Sequence, residues 1–199
     1  MRPTTAFLTE MNEQTFCCKY TSPLGEILIA AKGEALTGLW FAGQKYFAAG
    51  MGETVPVTPE DCVPIRQAVC WIDEYFSGKE PELQPCLEPE GTPFQKRVWE
   101  ALREIPWGET VSYGQIAEKI GCKSPRAVGA AVGRNPISLL IPCHRVLGSN
   151  GSLTGYAGGL ERKKFLLERE KDSKILTNEN QRNMMTLRRI RHDRSDSRR

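Results

Sequence analysis

The sequence predicts an α+β protein made of two units, and three observations carry that expectation. Short apolar or β-branched runs at 15–20, 26–32 and 36–41 are separated by turn residues, the pattern of a small sheet. Residues 92–133 carry three successive helix caps, the punctuation of consecutive helices. Between these regions, Gly78, Pro81, Pro85, Pro89 and Gly91 interrupt any periodicity.

In the first unit, Pro23-Leu24-Gly25 and Lys32-Gly33-Glu34 read as the turns joining three strands. Residues 50–64, rich in Gly and Pro, read as a loop. Ile65, Val69, Ile72 and Phe76 then recur at helical spacing, so one helix should lie on the sheet. In the second unit, Thr92-Pro93-Phe94-Gln95 is a capping box with proline at the first helical position, and Phe94, Val98, Leu102 and Ile105 mark its buried face. Pro106 and Gly108 should end that helix. Ser112-Tyr113-Gly114-Gln115 is a second capping box, opening a short helix through Ile116 and Ile120 that Gly121 closes. Ser124-Pro125 caps a third helix, 126–133. The last two form a helix-turn-helix pattern, a corner used for DNA binding and also for packing alone. Ala127, Gly129, Ala130, Ala131 and Gly133 leave the second helix thin, and Arg126 sits in its first turn. The expected division is an extension at 1–13, a first unit at 14–78, a linker at 79–91, a second unit at 92–170 and a tail at 171–199.

Composition narrows the function. With 199 residues, 40% hydrophobic and 26% charged, the chain fits an ordinary globular protein rather than a disulfide-built mini-protein. No stretch approaches the roughly 18 apolar residues of a membrane helix, and the first residues lack a signal-peptide pattern, so a cytosolic protein without membrane association is expected. Seven irregularly spaced cysteines suit a reducing compartment. Charge is divided unevenly. Residues 1–90 carry 6 Lys+Arg against 13 Asp+Glu, a net −7; residues 91–170 carry 12 against 7, and 171–199 carry 9 against 4, each a net +5. The second half is therefore the one expected to meet a polyanion, although attraction between the halves is an alternative. The basic tail has few large apolar residues and is expected to be mostly disordered, touching phosphates or serving as an inert extension.

The chemistry concentrates in Asn135-Pro136-Ile137-Ser138-Leu139-Leu140-Ile141-Pro142-Cys143-His144-Arg145-Val146. The apolar run Leu139 to Ile141 should be buried, with Pro142 fixing the chain's direction before Cys143. An imidazole able to accept a proton favours a reactive thiolate, which makes Cys143 a candidate nucleophile and His144 its base. Neighbours in an extended chain point apart, so a link through one water is expected. Glu170 shares a helical face with Leu166 and Leu167 in the short run Phe165-Leu166-Leu167 and could orient His144, or could lie in solvent. A buried structural thiol is the competing reading of Cys143. Cys17, Cys18, Cys62, Cys70, Cys86 and Cys122 form no Cys-x-x-Cys, and no phosphate loop follows a strand, so neither metal nor cofactor is expected.

Pro142-Cys143-His144-Arg145-Val146, with Asn135-Pro136 upstream and Gly155-Tyr156-Ala157-Gly158-Gly159 downstream, closely resembles the active-site signature of O6-alkylguanine-DNA alkyltransferases, the methylated-DNA-protein-cysteine methyltransferases. The resemblance is strong over 91–170, including Thr92-Pro93-Phe94-Gln95 and Arg126-Ala127-Val128-Gly129, and general over 14–78. It implies a ribonuclease-H-like N-terminal domain and a helical, winged helix-turn-helix domain that enters the minor groove of duplex DNA and flips out the damaged guanine. Cys143 would accept the alkyl group, His144 would relay its proton through water, Glu170 would hold the imidazole and Asn135 would brace the turn. Tyr113 would help rotate the nucleotide and donate to the leaving base. The carbonyls of Cys143 and Val146 would receive the guanine amino group, and the Ala157 amide would face O6 beside Tyr156. Arg126 would fill the vacated stack, with Ser124, Ala127, Gly129 and Arg134 also meeting DNA. The implied activity is single-turnover repair of O6-alkylguanine, and of O4-alkylthymine, by a monomer without cofactor. A non-catalytic alkylated-base-binding protein is the alternative. A Cys-His hydrolase is a third reading; a sequence-reading regulator would need Arg, Asn and Gln on the second helix, which lacks that set.

Overall fold

The computed structural model describes residues 14–175. The expected extension at 1–13 and residues 176–199 of the expected tail lie outside the described residues.

The three expected strands form: β1 Thr15–Ser22, β2 Gly25–Lys32 and β3 Ala35–Phe41 pair antiparallel. The loop expected at 50–64 contains a further strand, β4 Thr54–Pro56, which runs parallel to β1 and gives the order β3-β2-β1-β4. Three residues ending in proline carry too little alternation to reveal an edge strand. Helix α1, Val63–Ser77, covers one face of the sheet and stops at Gly78, whose φ of 86° suits the left-handed cap. Its buried stripe differs from the expected one. Ile65, Ala68, Trp71, Ile72 and Tyr75 face inward, whereas Val69 and Phe76 are half-buried, because the large Trp71 and Tyr75 rings set which face packs.

The expected linker is not free chain. Leu87 bridges Leu36, with Leu36 N–H donating to the Cys86 carbonyl (2.9 Å) and Glu88 N–H to the Leu36 carbonyl (2.8 Å). It therefore extends the exposed edge of β3. Both predicted capping boxes close, at Thr92–Gln95 for α2 (Pro93–Arg103) and at Ser112–Gln115 for α3 (Tyr113–Lys119). The Ser124 hydroxyl accepts from Ala127 N–H to cap α4, Pro125–Val132. A last helix, α5, occupies 160–175, running five residues past the expected boundary at 170. Ser173 on that extra turn donates to the Gly78 carbonyl at 2.6 Å.

One apolar core spans both units. Ile27, Ile29, Leu39 and Phe41 of the sheet join Ile72 of α1, Trp99 and Leu102 of α2, Val128 of α4 and Leu166 of α5. The edge of β3 also receives the chain leading to the candidate nucleophile. Leu39 bridges Ile137, with Leu39 N–H donating to the Pro136 carbonyl and Ser138 N–H to the Leu39 carbonyl, both at 2.8 Å. The acidic N-terminal unit is thus the wall against which the reactive segment is built. Among the described residues, no helix is long and apolar enough to cross a membrane.

Candidate active site

The reactive segment is placed by its backbone. Leu139, buried, holds a left-handed φ of 70°, unusual for a branched side chain and tolerated where the surroundings fix it. Ile141 N–H reaches the Ile137 carbonyl (3.1 Å) and Cys143 N–H the Ile141 carbonyl (2.7 Å), folding the run back on itself. Cys143–Arg145 is a 3-10 turn rather than the extended stretch expected, leading into the short β6, Val146–Leu147, which pairs with β5, Val111–Ser112.

Asn135 supports this turn from below. Its amide Nδ2 donates to the Ile141 carbonyl (2.8 Å) and to Cys143 Sγ (3.0 Å), while its Oδ1 accepts from Ile137 N–H (3.0 Å). Cys143 is 3% exposed, and burial pushes its thiol up to about 11 against the opposing pull of the Asn135 hydrogen bond and the Lys163 charge. The resting nucleophile is therefore a protonated thiol. Adjacency to His144 predicts a thiol already biased towards thiolate; burial outweighs that bias until a base removes the proton.

His144 is completely buried, and its Nε2 lies 2.7 Å from Glu170 Oε1. Burial lowers the imidazole pKa in spite of that carboxylate, so the ring is neutral. A carboxylate can only accept, which places the proton on Nε2 and leaves Nδ1 as the basic nitrogen. Nδ1 is buried with no hydrogen-bond partner among the described residues. The Tyr156 ring stands edge-on to the imidazole, with centroids 6.5 Å apart.

Glu170 is wholly buried and anchors the group. Its oxygens accept from His144, from Arg145 Nε (2.8 Å) and Nη2 (3.1 Å), from the Tyr75 hydroxyl (3.0 Å) and from Gly108 N–H (3.2 Å). Burial alone would raise its carboxyl, but the hydrogen bond from His144 and the hydrogen bonds and charge of Arg145 hold it at about 2. We assign the compensating charge to Arg145, because His144 is neutral and the guanidinium meets both oxygens. Within the expected apolar run, Leu166 points inward with Glu170, whereas Phe165 is exposed; α5 turns Lys163, Leu166, Glu170 and Ser173 towards the core.

Four residues here are not foretold by the sequence. Arg145 lies inside the motif without an assigned role, and Tyr75 falls outside the expected stripe of α1. Lys163 is fully buried, its Nζ donating to the carbonyls of Val146 (2.5 Å) and Thr154 (2.7 Å), and burial lowers its pKa to about 8. Gln44, from the loop after β3, accepts from Phe41 N–H (2.9 Å) and Ser138 Oγ (3.2 Å). The one available signal is a basic residue among apolar neighbours, as at Arg145.

The remaining expected residues surround this centre. Tyr113 begins α3, and its hydroxyl donates towards the carbonyls of Thr154 (3.2 Å) and Gly155 (3.1 Å), closing the turn beyond β6 over the helix-turn-helix. A Cβ on Gly129 would reach ordinary contact with the Tyr113 ring at 3.6 Å, so the thin face of α4 lies beside that ring. Ala157, next to Tyr156, has its carbonyl engaged by Lys45 N–H at 2.9 Å. Arg126, Ser124 and Arg134 lie at the two ends of α4; Ala127 and Gly129 lie along it.

Fold and site together define a thiol-nucleophile protein carrying a helix-turn-helix beside its reactive cysteine. Comparison sharpens that class. Residues 93–172 match the family described as 6-O-methylguanine DNA methyltransferase, DNA binding domain, and residues 16–88 match its ribonuclease-like domain. A methylated-DNA–protein-cysteine methyltransferase of Mycobacterium leprae is 46% identical over 156 residues, covering 78% of this chain and 92% of its own. One from Haemophilus influenzae is 45% identical over 155 residues, covering 76% and 84%. The crystal structure of Mycobacterium tuberculosis OGT in complex with DNA superposes with a TM-score of 0.72 at 42% identity, covering 79% of this chain and 94% of that one. This chain belongs to the methylated-DNA–protein-cysteine methyltransferase family.

Proposed function

We propose that the protein repairs O6-alkylguanine in duplex DNA by transferring the alkyl group once, irreversibly, to Cys143. The observation that carries the reading is a buried thiol held by Asn135, followed in sequence by a neutral imidazole whose outer nitrogen is fixed by an ionised, fully satisfied carboxylate. That arrangement supplies a nucleophile and a base with one free nitrogen.

The damaged guanine leaves the stack through the minor groove, because O6 inside a duplex is hidden from in-line attack. The thin α4 enters the groove, with Ser124, Ala127 and Gly129 close to the backbone, Arg126 filling the gap and Arg134 meeting phosphate. The flipped base sits between Tyr113 and the turn at Tyr156-Ala157, its amino group on the carbonyls of Cys143 and Val146. His144 Nδ1 takes the thiol proton through one water. Sulfur then bonds to the alkyl carbon, the carbon–O6 bond breaks with its electron pair going to oxygen, and the guanine gains a proton by way of Tyr113. The sum is thiol plus alkylguanine giving thioether plus guanine, which needs no cofactor. O4-alkylthymine presents the same alkyl–oxygen bond and is a second substrate. All groups of the site come from one chain, so a monomer suffices, and its free thiols suit a reducing cytosol. An alkylated-base-binding role without transfer has no use for this relay.

The test is incubation with a duplex carrying one O6-methylguanine, followed by peptide mass analysis. One methyl on Cys143 per protein, with repair ceasing at equivalence, supports the reading. Sustained turnover, or methyl on another cysteine, overturns it.

A further inference from the structure

We infer that the N-terminal unit supplies half of a phosphate clamp for the lesion-bearing DNA, formed by Lys45 and Tyr46 of the loop after β3 together with Arg134 beyond α4. This inference rests on the function proposed above. Tyr46 projects from the surface, 40% exposed, with the left-handed φ of 60° rarely adopted by an aromatic residue. Lys45 Nζ lies 4.9 Å and the Arg134 guanidinium carbon 5.5 Å from the centre of its ring. Two cations from different units therefore converge on one ring, which holds them close in spite of their repulsion. Hydrogen bonding from Lys45 and then Arg134, with their charges, draws the Tyr46 hydroxyl below its ordinary pKa. Neither cation forms an ion pair among the described residues, whereas Arg145 in the reactive segment is paired.

The loop is built to hold this position. Gln44 ties its start to Ser138 in the reactive segment, Lys45 N–H binds the Ala157 carbonyl, and Ala49 N–H closes a turn onto the Tyr46 carbonyl at 3.2 Å. The ledge thus runs from the base-binding turn to the end of the recognition helix. Lys45 thus carries positive charge without an ion pair among the described residues, in a region with net −7 over residues 1–90. A phosphate beside the flipped nucleotide supplies the missing partner. Glu90, exposed, lines the adjoining hollow together with Tyr46 and Arg134 and would repel an anion that entered it.

The experiment compares wild type, Lys45→Ala, Tyr46→Gly and Tyr46→Phe on two substrates, an O6-methylguanine duplex across a salt series and the free base O6-benzylguanine. Glycine suits the left-handed backbone, so Tyr46→Gly removes the ring without straining the loop. Lys45→Ala should flatten the slope of log affinity against log salt by about 0.9 and weaken duplex binding about three- to tenfold. Tyr46→Gly should match it, and Tyr46→Phe, which keeps the ring, should stay within about twofold of wild type. Reaction with the free base should be unchanged in all three. Superimposable salt slopes, or equal losses on both substrates, overturn the clamp. Failure of the wild type itself to react with the free base would instead overturn the function on which it rests.

Discussion

The buried relay and the exposed helix-turn-helix solve opposite electrostatic problems with the same residue types. In the relay, Arg145 is nearly excluded from solvent and its charge is spent on one carboxylate and the Ile105 carbonyl. On α4, Arg126 is exposed. A desolvated charge must be paired on site, at which point it fixes geometry, whereas an exposed one stays available to a partner from outside. Substitutions in the relay should therefore damage stability and chemistry together; those at exposed positions of α4, such as Arg126, should damage only encounter with DNA.

The strongest test of that division is Cys143→Ser, which should abolish alkyl transfer, because a serine hydroxyl is far harder to ionise, while duplex binding persists. Loss of both together would show that the thiol is part of the binding fold. Next comes Glu170→Gln. Removing one partner of a buried pair should cost about 3–5 kcal/mol in a denaturant titration, by leaving the Arg145 guanidinium without its counter-charge. Its acid behaviour follows as well. A carboxyl held at about 2 in the fold, against an ordinary 4.5, contributes about 3 kcal/mol that is complete above pH 4.5 and is lost as pH falls towards 2. The variant's stability should be nearly flat across that window, and a wild-type slope in the variant would refute the assignment.

His144→Ala should slow transfer by about 10²–10⁴-fold, the range for a positioned base, at a smaller cost in stability than Glu170→Gln. With Cys143 at about 11, its labelling by iodoacetamide should rise about tenfold per pH unit between about 7 and 10, as for any protonated thiol. A plateau near neutrality would mean that the resting thiolate is already favoured. On the exposed side, Arg126→Ala should slow repair of a duplex lesion about tenfold and leave reaction with free O6-benzylguanine within about twofold. The smallest expected effect belongs to the basic end of the chain. Truncation after residue 175, which spares α5, should flatten the salt slope of duplex binding by roughly 0.9 for each phosphate contact removed; identical slopes would exclude a part in holding DNA.

Legibility in the sequence follows the range of the interactions. The caps at Thr92, Ser112 and Ser124 involve residues three apart, and each is legible in a four-residue window. Cys143 and His144 are legible because adjacency itself carries the chemistry, and Glu170 because Leu166 fixes its helical face. Tyr75 meets Glu170 across 95 positions, and Gln44 meets Ser138 across 94, so no local pattern can announce them. The short β4 and the pairing of Leu87 with β3 are hidden for a related reason: a single bridge or three paired residues show no period. Burial, too, is a property of the whole fold, and it is burial that reverses the expected ionisation of Cys143.

The position of Glu170 also bears on how the protein is made. The ribosome releases Tyr75 first, then Asn135, Cys143 and His144, and the carboxylate that orients the imidazole comes after them all, on α5. A partial chain would hold the thiol and the histidine without the acceptor that sets the tautomer, and Arg145 without its counter-charge. The ordered relay is therefore complete only once α5 has docked against the N-terminal helix.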